Sequence, residues 1–304
     1  PYYQQSINHN FYKNRERPIL MVTGYWPPTN EMLRHFSQNT DLNPDGWQGE
    51  NWRDLGFDIV SFFPEFNPAD CNNCGQGYGD FEVDYQDTSE DFWMIVNEVK
   101  PTGIITFSRG YNNNSWELES NVYNHSSWYA DYTAPIYPTP TPPDDSVLPN
   151  HNRGSGLPLN ILEETLDNSD IDVNCYIDVN GDAGQFLSEF MGYHGMWYHQ
   201  DNIDSNSPCL SGGHIHVGGQ LSTNIARDAT ELTIEIVNSL VSRILRRVSL
   251  GSPVLPLKAG ENPTIGGLAP NALKKENGAK LELFSLSIDP TNAIGLGDIP
   301  EIRK

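Results

Sequence analysis

The chain has 304 residues, 37% of them hydrophobic, and its 40 acidic residues outnumber its 18 basic residues to give a formal net charge of −22. This length and composition can bury a substantial core in one large domain or two small ones. The charge argues against nucleic acid and anionic membrane surfaces as partners, and no apolar run reaches the roughly 18 residues of a membrane-spanning helix.

The first third of the chain predicts strands that alternate with a helix. Three buried strands are predicted from short apolar runs bounded by glycine or proline, at residues 18–24, 58–63 and 103–107. A helix is predicted over residues 88–99, where apolar residues recur at helical spacing and Thr88 or Ser89 could cap the first turn. This alternation favours an α/β domain with a largely parallel sheet.

The rest of the chain continues the pattern after a proline-rich segment, residues 133–150, that predicts a long exposed loop. Two further strands are predicted at residues 173–179 and 214–218, with a helix at about 184–199 between them. Residues 228–248 predict the clearest helix, because its apolar residues form one stripe.

The four cysteines are Cys71, Cys74, Cys175 and Cys209. Cys71 and Cys74 form a C-x-x-C pair in a glycine-rich segment, and no second pair completes a zinc site, so a local disulfide is favoured. Cys175 and Cys209 could be bonded to each other. An even number of cysteines fits an oxidising compartment, so we expect a secreted or periplasmic protein, with a cytoplasmic one as the alternative.

Three residues near predicted strand ends could form a hydrolytic triad. Ligands of α/β domains bind beyond the carboxyl ends of the strands, and Glu119, Ser188 and His216 stand near such places. Ser188 would be the nucleophile, His216 the base, and Glu119 the carboxylate that orients the base.

Each of these residues also has a plainer interpretation. His216 alternates with His214, and an H-x-H pair can bind a metal, while Glu117 shares a strand face with Glu119 and competes for its role. Ser188 lies well inside its helix if Asp182 is the cap, but close to the positive end if the helix begins nearer Gly184.

Seven segments in order resemble motifs of the pyroglutamyl peptidase type I family, also called pyrrolidone-carboxylate peptidases. They span roughly residues 17 to 248 and read, in chain order, ILMVTGYWPP, NPDGW, KPTGIITFSRG, ESNVYN, GSGLPL, DAGQFLSEF and GGHIHV. The resemblance places the family's catalytic Glu, Cys and His on Glu119, Ser188 and His216. It implies a three-layer α/β/α sandwich around a mostly parallel twisted sheet.

The resemblance also divides the chain and implies an activity. It predicts an N-terminal arm at 1–16, the α/β domain at 17–248, and a C-terminal extension at 249–304. The implied activity is cleavage of an N-terminal pyroglutamyl-like or other small acyl or lactam amide through an acyl-enzyme, with no cofactor and no metal. The substrate would be a small peptide or acyl amide, and the protein could form a homo-oligomer. Substrate-binding residues would be Tyr25, Trp26, Asn124 and Gly184.

Four positions depart from the family pattern. Ser188 replaces Cys, Glu189 replaces the following Asn, Ser120 replaces the Arg after the catalytic Glu, and Pro28 stands where a second aromatic ring is expected. A hydroxyl depends on a base and an oxyanion hole more than a thiol does, and Glu189 would disfavour an oxyanion nearby. The alternative function is therefore a catalytically inactive member that binds a ligand or partner, and Ser188 could also be an introduced replacement of Cys.

Overall fold

The computed structural model of the chain describes residues 7–71, 74–181 and 183–249, together with two short strands at 273–276 and 280–283. The predicted cap Asp182 lies outside the described residues, as does most of the predicted extension 249–304. The proposed division into arm, domain and extension stays a prediction, although residues 9–14 of the arm form a helix.

A six-stranded sheet forms the middle layer. The described strands are, in chain order, β1 (Ile19–Thr23), β2 (Asp58–Phe62), β3 (Pro64–Glu65), β4 (Tyr78–Gly79), β5 (Gly103–Gly110), β6 (Ser115–Glu119), β7 (Asn121–Tyr123), β8 (Asn152–Gly154), β9 (Asn174–Asp178), β10 (Ser211–Gly218), β11 (Leu273–Glu276) and β12 (Lys280–Leu283). Strands β2, β1, β5 and β10 run parallel, β6 runs antiparallel to β10, and β9 runs parallel to β6. The other strands form antiparallel pairs, β3 with β4, β7 with β8, and β11 with β12.

Helices cover both faces of this sheet. They are α1 (His9–Asn14), α2 (Thr29–Leu33), α3 (Tyr85–Val99), α4 (Leu159–Asp167), α5 (Leu187–Asn202) and α6 (Thr223–Ser249), with 3₁₀ turns at Arg34–Phe36 and Trp52–Asp54. Alternate residues of β1 face opposite layers, because Leu20 and Val22 pack with α2, α4 and α6 while Ile19 and Met21 pack with α3 and α5. The predicted α/β/α sandwich is confirmed. None of the described helices combines the length and the apolarity needed to cross a membrane.

Several element boundaries differ from the sequence prediction, and two of them have clear local reasons. Helix α3 begins at Tyr85 because the Asp84 carboxylate accepts the backbone N–H groups of Gln86 and Asp87, so neither Thr88 nor Ser89 is its cap. Strand β10 begins at Ser211. The predicted start at residue 214 was too late, because the glycines that open the strand carry no hydrophobic signal. A Cβ on Gly212 would lie 2.4 Å from the Cβ of His199, so α5 packs too closely on β10 for any side chain there.

The cysteines follow one of the two expected pairings. Cys71 and Cys74 form a disulfide, as predicted. Cys175 and Cys209 are both free and buried, so the suggestion that they pair is wrong. Cys175 lies on the edge strand β9 and packs on the side of α4 and α6, whereas Cys209 packs on the side of α3 and α5, so the sheet separates the two thiols.

The proline-rich segment is anchored rather than exposed throughout. It belongs to the loop 124–151, which the β7–β8 ladder closes. Asp144 in this loop is fully buried and accepts hydrogen bonds from Arg153 at 2.6 Å and from the Tyr193 hydroxyl at 3.0 Å. Because Tyr193 belongs to α5, this buried ion pair fixes the loop to that helix.

Replacing Asp144 with alanine is expected to lower the free energy of unfolding by about 3 to 5 kcal/mol, because it removes the buried partner of Arg153 and leaves only the exposed Asp201 carboxylate, 3.6 Å away. Burial alone would raise the pKa of Asp144, but hydrogen bonds from Ser146, Arg153 and Tyr193 hold that pKa below its ordinary value. Its stabilising contribution is therefore complete above the unfolded value of about 3.9 and is lost as the pH falls through the lower folded value.

Urea denaturation at neutral pH, repeated at decreasing pH, measures both effects. The exposed neighbouring residue provides the control, Asp145→Ala, which should change the unfolding free energy by less than about 0.5 kcal/mol. Equal losses in the two variants would mean that the buried pair with Arg153 is not the reason for the destabilisation.

Candidate active site

A buried carboxylate–imidazole pair lies between β6 and β10. The Nδ1 atom of His216 lies 2.6 Å from Oε1 of Glu119, and Glu119 is fully buried. In the β10–β6 ladder His216 is opposite Glu117, so Glu119, two residues further along the antiparallel strand, lies deeper in the sheet. The carboxyl end of β6 thus points away from that of β10, which corrects the expectation that Glu119 stands at the ligand-binding edge. Glu119 contacts His216 from the side of the sheet interior.

The contact between the two groups favours a proton on His216 and opposes one on Glu119. Burial alone would lower the pKa of His216, but the hydrogen bond to Glu119 and the charges of Glu119, Glu117 and Glu189 raise it above its ordinary value. Burial raises the pKa of Glu119, and the contact with His216 only partly opposes this effect. The two groups therefore titrate as one unit, and the second oxygen of Glu119, Oε2, is buried without a hydrogen-bond partner among the described residues.

Ser188 lies in the first turn of α5. The helix begins at Leu187, after Phe186 in an extended conformation, so Ser188 is its second residue and the later of the two expected starts is the observed one. The macrodipole of this 16-residue helix is positive there. The Ser188 hydroxyl donates to the carbonyl oxygen of Ala183 at 3.1 Å and makes no hydrogen bond to His216 in this structure.

His216 and Ser188 open onto one cleft of about 830 Å³, which lies within the roughly 300–1,000 Å³ of small-molecule sites. Two of the predicted substrate-binding residues, Trp26 and Gly184, also line it. The complete lining is Trp26, Arg109, Gly110, Tyr111, Asn112, Asn113, Glu117, Ala183, Gly184, Phe186, Ser188 and His216. Glu119 lies behind His216.

The other two predicted substrate-binding residues are not part of this lining. Tyr25 is fully buried, and its hydroxyl lies 2.7 Å from the hydroxyl of Thr88 on α3. Asn124 is also fully buried, donates to the backbone carbonyl of Asp144 at 2.7 Å and accepts from its N–H at 3.1 Å. Both side chains are engaged in holding the protein's own loops.

A ring from another segment joins Trp26 in the wall of the cleft. Phe186 stacks on Trp26 with ring centroids 6.2 Å apart and planes 11° from parallel. Tyr132 from the loop 124–151 meets the edge of Phe186, with centroids 6.5 Å apart. The sequence gives no sign that residues 26 and 186 adjoin, and only their position in the fold makes Phe186 a cleft residue.

Comparison with solved structures bears on this arrangement. No protein-family model and no curated protein sequence matches the chain. Pyroglutamyl peptidase I of Bacillus amyloliquefaciens is 16% identical over 73% of this chain and 95% of its own, with a TM-score of 0.51. Pyrrolidone carboxyl peptidase of Pyrococcus furiosus is 13% identical over 73% of this chain and 99% of its own, with a TM-score of 0.51.

The chain has the pyroglutamyl peptidase fold. At these identities the likeness establishes the architecture, and the activity is argued from the side chains below. The predicted fold family is thereby supported, while the roles of Glu119, Ser188 and His216 stay predictions.

In this example of the pyroglutamyl peptidase fold, an arginine side chain that was not expected from the sequence lines the cleft. Ser120 stands where the family has Arg, and its hydroxyl donates to the carbonyl oxygen of Asp178 at 2.5 Å and accepts from the side-chain amide of Asn121 at 2.8 Å. Arg109, near the end of β5, lines the cleft instead. Its signal in the sequence was a charged residue at the carboxyl end of a buried strand.

Glu189 does not line the cleft, which corrects the expectation that its charge faces a developing oxyanion. Its carboxylate is fully buried and accepts the backbone N–H groups of Tyr123 at 3.0 Å and Gln185 at 2.9 Å. It also lies 2.9 Å from Nε2 of His125. Glu189 thus fastens β7 and the turn before α5 to the first turn of that helix.

The described residues that lie close enough to share a cation are Glu117, Glu119 and His216, with ligand atoms within 4.8 Å of one another. His214 is not part of this group. Its ring is fully buried, its Nδ1 lies 2.8 Å from the Thr106 hydroxyl, and burial holds its pKa well below the ordinary value, so it is neutral. Glu117 is half-buried and does not replace Glu119 as the partner of His216.

Proposed function

We propose that the chain is an amide hydrolase of the pyroglutamyl peptidase superfamily that acts through an acyl-enzyme on Ser188. The observation that carries the proposal is the buried Glu119–His216 pair, held at 2.6 Å, whose imidazole faces the same cleft as a hydroxyl in the first turn of a helix. A nucleophile, a base and a carboxylate that orients the base are the three parts of a hydrolytic triad.

In this mechanism His216 removes the proton of the Ser188 hydroxyl through Nε2 while Glu119 holds Nδ1. The Ser188 oxygen bonds to the substrate's amide carbon, and the amide nitrogen leaves with the proton that His216 gives back. A water molecule then loses a proton to His216 and attacks the ester carbon, the bond to the Ser188 oxygen breaks, and His216 returns the proton to that oxygen as the acid is released. The hydroxyl must turn from Ala183 towards His216 when substrate binds, since catalytic hydrogen bonds often tighten only in the complex.

The oxyanion would be stabilised by backbone amides at the start of α5. The N–H groups of a first helical turn have no partner within the helix, which leaves those of Leu187 and Ser188 for a ligand. The N–H of Gln185 is not part of this set, because it donates to Glu189. The charge of Glu189 is compensated by His125 and two amides, so it does not oppose this role as directly as the sequence suggested.

The substrate would be a small acyl or lactam amide rather than a plain pyroglutamyl peptide. The aromatic wall of the cleft is the Trp26–Phe186 stack, and Tyr25 is buried away from it, so the pocket differs from the one implied by the motif. A flat amide can lie against such a wall. The substrate amide could belong to a small peptide.

The second candidate function is ligand binding without catalysis. The observation that favours it is the hydrogen bond from Ser188 to the Ala183 carbonyl, because a hydroxyl held there is not activated by His216. A serine in a site suited to a thiolate adds to this view.

Replacing Ser188 with cysteine is expected to raise the rate of amide hydrolysis, because a thiol in the first turn of α5, beside His216, ionises more readily than a hydroxyl. The measurement is release of the amine from pyroglutamyl and other N-acyl amide reporters by the parent and Ser188→Cys. The exposed Ser207 provides the control, Ser207→Cys, which should match the parent. If neither the parent nor Ser188→Cys hydrolyses any reporter, the hydrolase proposal is lost and the binding function takes its place.

A further inference from the structure

The Arg109 side chain is held in the cleft without a partner of its own. Its guanidinium lies against Gly219, where an added Cβ would be 2.5 Å from Nε, so the missing side chain at Gly219 leaves it room. The Nε atom is buried and makes no hydrogen bond to any described residue. A buried donor left unsatisfied costs free energy that a ligand can recover.

The lack of a partner stands out in so acidic a chain. Among the described residues, the ion pairs between arginine and carboxylate involve Arg17, Arg34, Arg53 and Arg153. Arg15 and Arg227 are in none of these pairs, but each donates to a backbone carbonyl. Arg109 takes part in none of the ion pairs among the residues that the structure describes, although Glu117 lines the same cleft. With a net charge of −22, this chain has many more carboxylates than cations, yet none of the described carboxylates forms an ion pair with Arg109.

We propose that Arg109 binds a free carboxylate of the substrate, so that the substrates are acyl amides that carry a second, unreacted carboxylate. The inference rests on the proposed function and names the substrate class of that same cleft. A guanidinium presents a planar fork of donors that matches the geometry of a carboxylate. The positive end of α5 at Ser188 lies on the same cleft and adds to the attraction for an anion.

Glu117 restricts where in the cleft a substrate carboxylate can bind. Its carboxylate repels an anion close to it, so a substrate carboxylate gains only where Arg109 is the nearer charge. The uncharged amide part of the substrate then contacts the wall formed by Trp26 and Phe186. A neutral lactam would leave Arg109 without a partner, whereas a carboxylate-bearing amide satisfies both parts of the cleft.

The test is binding of two probe pairs to Ser188→Ala, which cannot form the acyl-enzyme. The probes are glutaramic acid with its uncharged analogue glutaramide, and succinamic acid with succinamide, titrated by calorimetry. We expect the acid of at least one pair to bind about tenfold to a hundredfold more tightly than its diamide, because hydrogen bonds to charged groups are the strong ones. Adding Arg109→Gln should remove this difference, and Arg109→Lys should keep part of it.

A matched control removes one positive charge elsewhere. Lys13 is exposed on α1 and does not line the cleft, so Lys13→Gln should leave the difference between acid and diamide unchanged. Arg109→Gln should keep the thermal midpoint of the parent, because its Nε makes no hydrogen bond that the change would break. Should that variant fail to fold, equal binding of acid and diamide to Ser188→Ala would still overturn the proposal, and a weaker preference for the acid in Arg109→Lys would still support it.

The outcomes separate this inference from the hydrolase proposal. Binding of the acid that depends on Arg109, in a protein that hydrolyses nothing, supports the carboxylate site and removes the hydrolase. Hydrolysis of neutral amides, with equal binding of acid and diamide and no effect of Arg109→Gln, keeps the hydrolase and overturns the carboxylate site.

Discussion

Replacing His216 with alanine is expected to lower kcat/KM for amide hydrolysis by about 10⁴-fold, because the base that takes the proton of Ser188 is lost. The imidazole also returns that proton to the leaving nitrogen, so acylation itself fails. The measurement is steady-state hydrolysis of the best N-acyl amide reporter by the parent and the variant, and again in the Ser188→Cys background.

The His216 test needs a control for folding and for histidine replacement in general. His151 is exposed and outside the cleft, so His151→Ala should retain the parent rate. Circular dichroism and the thermal midpoint show whether β10 tolerates the change. A folded His216→Ala protein that keeps a tenth or more of the parent kcat/KM would rule His216 out as the base.

Replacing Glu119 with glutamine is expected to lower kcat/KM by about 10²- to 10⁴-fold and to move its pH dependence. In the parent, kcat/KM should rise with pH as His216 loses its proton, with a midpoint above the ordinary histidine value of about 6.5. Glutamine is similar in size but uncharged, so the imidazolium loses its partner and the midpoint should fall. The pH profile of kcat/KM measures both effects.

Glu117 is the matched control for this change, since it lies on the same face of β6 and also contributes a negative charge near His216. Glu117→Gln should lower the midpoint less than Glu119→Gln and cost less activity, because it makes no hydrogen bond to the imidazole. A larger effect at Glu117 would show that the orienting carboxylate had been assigned to the wrong residue.

The strands that the sequence indicated most clearly are those whose residues form continuous apolar runs, although β9 and the second half of β10 were also predicted. β1, β2 and the first part of β5 are buried on both faces and were found. β6 was given no bounds, although Glu117 and Glu119 were expected to share a strand face, because its polar residues alternate with apolar ones and the buried Glu119 looks like a surface residue. The glycines that open β10 carry no hydrophobic signal, although close packing of α5 requires them.

The candidate site divides in a similar way. The order of the motifs predicted that Glu119 and His216 belong to one site, and the structure shows their side chains in contact. Arg109 and Phe186 were not foreseen, because their importance depends on which distant segments line the cleft. The direction of the Glu189 side chain was misjudged, since a sequence does not say that Tyr123, Gln185 and His125 surround it.

The loop 124–151 has a consequence for how such a protein can diversify. Its two ends are paired residue by residue in the β7–β8 ladder, so closing the loop costs little more for a long insertion than for a short one. Tyr132, which touches Phe186 at the cleft, is carried on this loop, while Glu119 and His216 are carried on the sheet. Part of the cleft rim and the Glu119–His216 pair therefore lie on separate stretches of the chain, so the rim can vary while the pair is kept, provided that a new loop retains the buried Asp144 for Arg153 and Tyr193.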